Sequence, residues 1–420
     1  MRILYLCIDG GIDLTGQRGS SVHIRGFVRA LTELGHRVTV VGSRVGAPTA
    51  LEDELQAEVR PAPLAGWNHS LACGIRAGNR LIGRATRNNP DAVRTLHNLR
   101  FLATAAEAAR DLDPDFIYER YSLWGMSGLR LAKNRCIPLV LEVNAPLAYE
   151  QERYRAGLTC PPLARWVERR IWRKADLLIA VSQSLKSRAQ TAGVRPDVVH
   201  VLPNGVNPQL FHPMLDGQPV RARYRLNGRF VIGFVGAFRA WHGIDMLLAA
   251  FGDLHRADPS THLLLVGDGP LRPRFEEDVR NAGLQDAVTF VGGVAHREVP
   301  HHVAAMDVAV APYPALEEHY YSPLKLFEYM AAGRAVVASQ VGQVAEIVVD
   351  GATGLLFQPG DRAGFLDCIW RLKKDAVLRD ELGRSARVAC LEHTWSGNAA
   401  RVMGWVEPMA KRRRHAAVYA

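Results

Sequence analysis

The sequence predicts an α/β protein made of two doubly wound units in tandem, each a parallel sheet covered by helices. Three observations carry that prediction. Short β-branched runs alternate with longer amphipathic stretches from the first residue onward, the pattern of parallel sheets buried beneath helices. The chain has 420 residues, more than one hydrophobic core usually organises. The alternation is also interrupted once, by the turn formers and helix stoppers of Pro203-Asn204-Gly205-Val206-Asn207-Pro208 through Pro213, which suits a connection between domains.

In the first half, strands are expected near Ile3–Cys7, Arg37–Val41, Asp115–Tyr118, Leu139–Val143, Leu177–Val181 and Val198–Leu202. Helices are expected near Ser20–Leu34, Leu102–Asp111 and Ser182–Thr191. Residues 62–100, with Trp67, Asn68-His69 and the basic run Arg76, Arg80, Arg84 and Arg87, read either as helices beside the sheet or as a mobile stretch. A second series runs through Phe230–Val235, His262–Val266, Val288–Phe290, Val308–Ala311, Ala335–Ala338 and Leu355–Phe357. The expected domains are therefore 1–205 and 206–395, followed by a terminal helix, 396–420, that packs back on the first domain and ends in a basic tail. No repeat of 20–50 residues is evident.

Composition narrows the class. Nearly half of the residues are apolar and 22% are charged, as in ordinary globular proteins. The apolar opening Ile3–Ile8 is too short for a signal-peptide core and runs into Asp9-Gly10-Gly11, a strand-to-loop signature. No stretch is long enough to span a bilayer. The six cysteines, Cys7, Cys73, Cys136, Cys160, Cys368 and Cys390, show neither C-x-x-C nor paired spacing, which argues against a disulfide framework or zinc site and for a reducing cytoplasm. Residues 1–200 hold 28 Lys and Arg against 19 Asp and Glu, nearly all of the net charge of +10. That excess suits nucleic acid, anionic lipid or phosphorylated substrates, or is simply spread over solvated surfaces. Nothing resembles a nucleic-acid-binding module. The terminal cluster Lys411-Arg412-Arg413-Arg414-His415 reads as a binder of acidic surfaces or as a frayed tail.

Three glycine-bearing turns are candidates for receiving an anion, since small residues admit backbone N–H groups to a phosphate and a following helix dipole favours negative charge. The first, Gly16-Gln17-Arg18-Gly19-Ser20-Ser21, leads into a helix that carries His23 and Arg25. The second, Gly236 to Gly243, adds Arg239 and His242 as side-chain donors. The third, Gly267-Asp268-Gly269-Pro270, is too short for a dinucleotide fingerprint, and no P-loop motif occurs. In each, glycine serving only the turn is the alternative.

The densest constellation is Tyr320-Tyr321-Ser322-Pro323-Leu324-Lys325-Leu326-Phe327-Glu328. Ser322 suits an N-cap with Pro323 at the first helical position, and Lys325 and Glu328, three apart, share a helix face. One helix start then offers a cation and amides to phosphate, with a carboxylate one turn on for ribose hydroxyls. The alternative is a surface Lys–Glu pair.

The chain as a whole resembles the family 4 retaining glycosyltransferases of GT-B fold. The resemblance rests on Gly19-Ser20-Ser21-Val22-His23 with Leu34-Gly35-His36-Arg37-Val38; Ala175-Asp176 through Val181-Ser182; Leu202-Pro203-Asn204-Gly205-Val206; and Phe234-Val235-Gly236 with His242-Gly243. It continues through Val266-Gly267-Asp268-Gly269-Pro270, Phe290-Val291-Gly292 and Glu328-Tyr329-Met330-Ala331-Ala332-Gly333, then Glu346, Gly351, Thr353-Gly354 and Gly360-Asp361. It implies two Rossmann-like domains facing a central cleft, a nucleoside-diphosphate sugar as donor, transfer to an acceptor hydroxyl with retention, and neither cofactor nor metal. It implies that Glu328 lies near the ribose, and that Lys325, the amides near Leu324 and the Gly19–Ser20 turn stabilise the leaving diphosphate. It also implies that the loop through Val294 flanks the nucleobase.

The departures are informative. The family's first donor-site glutamate falls on Tyr320, so sugar contacts pass to Tyr320, Tyr321 or backbone. Ala237 and His242 stand where many members carry the diphosphate-binding Arg and Lys, with Arg239 and Lys325 as replacements. Arg120 occupies the place of a common histidine, and Glu142 and Asn144 follow at the next strand end. Arg120 then suits an anionic sugar or phosphate, and Glu142 suits orienting the acceptor hydroxyl or accepting its proton; a salt bridge from Glu119 or Glu142 to Arg120 is the rival reading. Asp111-Leu112-Asp113-Pro114-Asp115 has the D-x-D spacing of metal-dependent transferases, but Pro114 and the resemblance favour a connector. The expected acceptor is phosphorylated or lipid-linked, with peripheral membrane contact through the basic first domain; a soluble small-molecule acceptor is the alternative. The other readings are a non-catalytic sugar-nucleotide-binding partner of another transferase and a GT-B sugar-nucleotide epimerase.

Overall fold

The computed structural model describes residues 1–63, 90–154 and 158–418. Trp67, Asn68, His69, Arg76, Arg80, Arg84 and Arg87 lie outside the described residues. The chain divides into two compact units, Met1–Pro203 with Ser396–Ala420, and Asn204–Trp395.

The first unit contains a seven-stranded sheet in the order β3-β2-β1-β4-β5-β6-β7: β1 Arg2–Cys7, β2 Arg37–Gly42, β3 Glu58–Pro61, β4 Phe116–Arg120, β5 Leu139–Val143, β6 Leu177–Ala180 and β7 Val199–Val201. All neighbours are parallel. The central strands read as continuous apolar runs because helices cover both faces; Ile3, Leu4, Tyr5, Leu6 and Phe116–Tyr118 are almost wholly buried. Helices Gly19–Glu33 and Pro90–Leu112 are among those that cover it, and Phe101, Ala105, Ala108 and Ala109 pack with Leu4, Leu6 and Ile117.

The second unit repeats the plan in six parallel strands, ordered β10-β9-β8-β11-β12-β13. These are β8 Phe230–Val235, β9 Thr261–Val266, β10 Val288–Gly292, β11 Val308–Ala311, β12 Ala335–Ser339 and β13 Leu355–Phe357. One core cluster gathers Leu264, Ala309, Leu326 and Met330; another gathers Phe234, Phe238, Leu247, Phe251 and Leu263.

In both sheets the strand order reverses direction, at β1/β4 and at β8/β11. Open α/β sheets bind ligands outside the carboxyl ends of their strands at such switch points.

The terminal helix runs Trp395–Val418. Its basic cluster is not a frayed tail: Arg413 donates to the Ile137 carbonyl and pairs with Asp176, and Arg414 pairs with Asp115. Ile137, Asp176 and Asp115 precede β5, β6 and β4, so these arginines hold the helix at the amino ends of the first unit's strands. Farther up the same helix, Trp405 stacks on His200 with centroids 4.4 Å apart. No helix among the described residues is long and apolar enough to cross a membrane. Cys7, Cys136, Cys160, Cys368 and Cys390 are free thiols.

Candidate functional site

The second unit's switch point is built around one lysine. Helix Leu324–Ala331 starts beside the carboxyl end of β8, held there by Tyr329, whose hydroxyl accepts the Val235 N–H at 2.7 Å. One turn earlier, Lys325 is 8% exposed, and its ammonium makes no hydrogen bond among the described residues. It stands 3.8 Å over the Phe234 ring and 5.6 Å from that of Tyr313, an electrostatic contact that only partly replaces lost water. Burial lowers the Lys325 pKa to about 7, with Glu328 opposing the shift. The ammonium also borders Gly236, where a Cβ would lie 2.6 Å from Nζ and where φ is +150°. A buried cation short of partners, aimed at a glycine turn, is chemically a receptor for an anion.

Glu328, buried on the same helix, pairs with His296 Nε2 at 2.8 Å. Residue spacing alone gave no sign of His296; its signal is position, two residues beyond Val294 in the loop after β10, and its ring tilts against Phe211. Val294 is half-buried and packs against the larger core.

Ser322 is not the helix cap. The cap position belongs to Pro323, which has extended backbone angles, while the Ser322 hydroxyl accepts the Asn204 N–H at 2.9 Å and its carbonyl accepts Asn204 Nδ2 at 2.6 Å. A partner 118 residues away thus takes the hydroxyl that local preference assigns to the helix. Tyr320 is buried against Tyr321, and the Tyr321 hydroxyl meets His319 Nδ1 at 3.1 Å. Leu324 is half-buried at the first helical position.

The glycine turns divide. Arg239 leans over Trp241, 5.5 Å from the ring, on the half-exposed side of its turn. His242 is not a cationic donor: Nδ1 is bonded to the Ala237 carbonyl of its own turn, and burial, then Lys325, lowers its pKa to about 3. Gly267 serves packing, since a Cβ there would lie 2.0 Å from the Gly236 carbonyl oxygen, and its N–H donates to Gly292. In the first unit, the helix from Gly19 has Arg18 as its cap residue with no side-chain cap; Gly19 is exposed and Ser20 half-buried. Arg25 ties down the preceding loop through the carbonyls of Leu14 and Gly16 and through Glu54.

Around the first unit's switch point Glu142 is fully engaged. Arg120 Nη1 lies 2.8 Å and His23 Nε2 2.9 Å from Oε1, and the Tyr118 hydroxyl donates to Oε2 at 2.5 Å. Burial raises the carboxyl pKa, but His23, then Arg120 and Tyr118, outweigh it and leave it at about 2. So acidic a carboxylate, with both oxygens occupied, is a poor proton acceptor. Glu142 therefore orients Arg120 and His23, and the salt-bridge reading holds. Glu119 points elsewhere, toward the Gly128 N–H, with burial raising its pKa to about 8. Asn144 sits half-buried in the bend after β5. In the D-x-D run, Asp111 pairs with Arg60, Asp113 with Arg2, and Asp115 with Arg2 and Arg414.

Residues 17–210 match the family described as Glycosyltransferase Family 4, and residues 229–375 the family described as Glycosyl transferases group 1. The chain belongs to these glycosyltransferases. Among curated relatives, the α-D-kanosaminyltransferase of Streptomyces kanamyceticus is 26% identical over 60% of this chain and 65% of its own length. The D-inositol 3-phosphate glycosyltransferase of Stackebrandtia nassauensis is 29% identical over 71% and 69%. The chain thus spans about two thirds of the length of these relatives. Anabaena HepE, solved in complex with UDP-glucose, superposes with a TM-score of 0.73 at 20% identity, covering 97% of this chain and 99% of that one. That likeness assigns the two parallel-sheet units to the GT-B fold.

Proposed function

We propose that the chain transfers a sugar from a nucleoside diphosphate to an acceptor hydroxyl, with retention of the anomeric configuration. The observation that carries the proposal is the buried, unpartnered ammonium of Lys325 beside the Gly236 turn. A diphosphate supplies the hydrogen bonds and the negative charge that this ammonium lacks, and the interaction strengthens as charge develops on the departing phosphate. Glu328, one turn along, takes the ribose hydroxyls, and His296 holds its carboxylate in place. The HepE complex with UDP-glucose supports a nucleotide sugar as the donor class.

No divalent metal is needed in this reading. The carboxylates with D-x-D spacing are balanced by arginines, and the diphosphate charge is met by Lys325 and by backbone amides. The basic first unit suits a phosphorylated or lipid-linked acceptor, and the chain works in the cytoplasm, at the inner face of the membrane.

Incubating the purified protein with UDP-, GDP- and ADP-sugars, with and without a lipid extract as acceptor, tests the proposal. One donor should release nucleoside diphosphate in step with a glycosylated product of retained configuration. Conversion of the donor into its epimeric sugar nucleotide, without net release of nucleoside diphosphate, would instead indicate an epimerase, and binding without turnover a non-catalytic partner.

A further inference from the structure

Helix Pro161–Lys174 separates into two unlike faces. Ala164, Val167, Glu168, Ile171 and Trp172 are buried in the first unit. Arg165, Arg169, Arg170, Arg173 and Lys174 all face solvent. Its single acid, Glu168, is turned inward, accepting from the Tyr121 hydroxyl and the Ala148 N–H, so the helix itself presents only cations outward, of which Arg165 is paired with Glu152 of the preceding helix at 2.7 Å. At its amino end Leu163 and Trp166 are 47% and 58% exposed, and Arg170 lies 5.5 Å from the Trp166 ring. At its carboxyl end Arg173 and Lys174 continue into a groove of about 420 Å³ that also holds Arg195, Arg412, Arg413 and Asp176; Asp176 pairs with Arg413 and Arg195 with Asp197.

An Arg-rich face costs nothing in water, but a tryptophan and a leucine left out of the core do. Their company decides the reading. Indole rings settle at the headgroup level of bilayers, aliphatic side chains in the adjoining acyl boundary, and neighbouring cations meet anionic lipid. A phosphodiester chain would satisfy the arginines but offers nothing to Leu163.

We propose that this face docks the protein on an anionic phospholipid bilayer, with Trp166 and Leu163 at the acyl boundary and Arg169, Arg170 and Lys174 against the headgroups. The surface belongs to the first unit and Lys325 to the second, so docking and donor binding can fail separately.

Vesicle co-sedimentation tests the proposal, using vesicles of phosphatidylcholine with 30% phosphatidylglycerol, and of phosphatidylcholine alone. The protein should pellet with the anionic vesicles at low salt and be released at high salt. Each cation at an anionic surface contributes roughly fivefold, so R169E/R170E/K174E should lose about a hundredfold or more in partitioning. Trp166→Ala should lose several-fold, and R169K/R170K should bind like wild type. UDP affinity should be unchanged in all of them, and circular dichroism spectra and thermal melts should match wild type, which shows that the first unit of each variant is folded. Failure to pellet with anionic vesicles, equal pelleting with neutral ones, or wild-type partitioning of the charge-reversed variant overturns the proposal. So does displacement of vesicles by RNA that binds more tightly through the same residues, which would assign the face to nucleic acid.

Discussion

Replacing Lys325 by methionine should weaken donor binding and stabilise the protein at the same time. Methionine keeps most of the side-chain length and removes the charge. The sign follows from the two pKa values. The unfolded chain keeps its proton up to the ordinary lysine value, 10.5, whereas the folded chain releases it above about 7. Folding is therefore penalised in full below pH 7, and the penalty fades as pH rises from 7 to 10.5. At pH 8 it amounts to roughly 3 kcal/mol, and removing it should raise the melting temperature of a unit this size by roughly 5–10 °C. The opposite effect falls on the ligand. A charge-assisted hydrogen bond to diphosphate is worth about 2–3 kcal/mol, so at pH 6, where Lys325 is charged before the ligand arrives, UDP affinity should fall roughly 30- to 150-fold. Differential scanning fluorimetry at pH 8 and isothermal titration calorimetry at pH 6 measure the two halves. UDP affinity within threefold of wild type refutes the assignment of Lys325 to diphosphate, and a lowered melting temperature refutes the burial penalty.

Gly236→Ala should act on the same ammonium from the other side. The new Cβ would lie 2.6 Å from Nζ, displacing it and costing about tenfold or more in UDP affinity, read by the same calorimetry. Glu142→Ala should destabilise the first unit by about 3–5 kcal/mol, because Arg120 and His23 are left buried without their carboxylate; denaturant unfolding should show this while UDP affinity holds. Glu119→Gln should flatten the pH dependence of stability. The folded carboxyl holds its proton up to about pH 8, so wild-type stability should decline as pH rises from about 4.5 to 8, and melting temperatures across that window should decline less in the variant.

The strands were the most legible part of the fold. Phe230–Val235, Val308–Ala311 and Leu355–Phe357 end where their apolar runs end, because buried parallel strands must be apolar on both faces. β3 escaped because Glu58-Val59-Arg60-Pro61 is a short, charged edge, the form in which sheets protect an open side. The helix from Leu324 was legible and its cap was not, since Ser322 answers to Asn204 across a long stretch of chain. Glu142 was placed at a strand end from sequence alone. Its role depended on neighbours from β4 and from the helix beginning at Gly19, which no local spacing reveals. Lys325 stood out as a charge in an apolar helix start, yet its isolation, which gives it chemical meaning, is a property of packing with Phe234 and Tyr313.

Donor binding depends, in the proposed function, on that isolated ammonium meeting a diphosphate. Nuclear magnetic resonance of protein carrying ¹³C-labelled lysine, titrated from pH 5 to 11 with and without UDP, reports on it directly. The Lys325 Cε signal, assigned by its loss in Lys325→Met, should titrate near pH 7 in the free protein and shift upward by more than one unit when UDP is bound. Titration at the ordinary lysine value, unmoved by saturating UDP, would contradict the account.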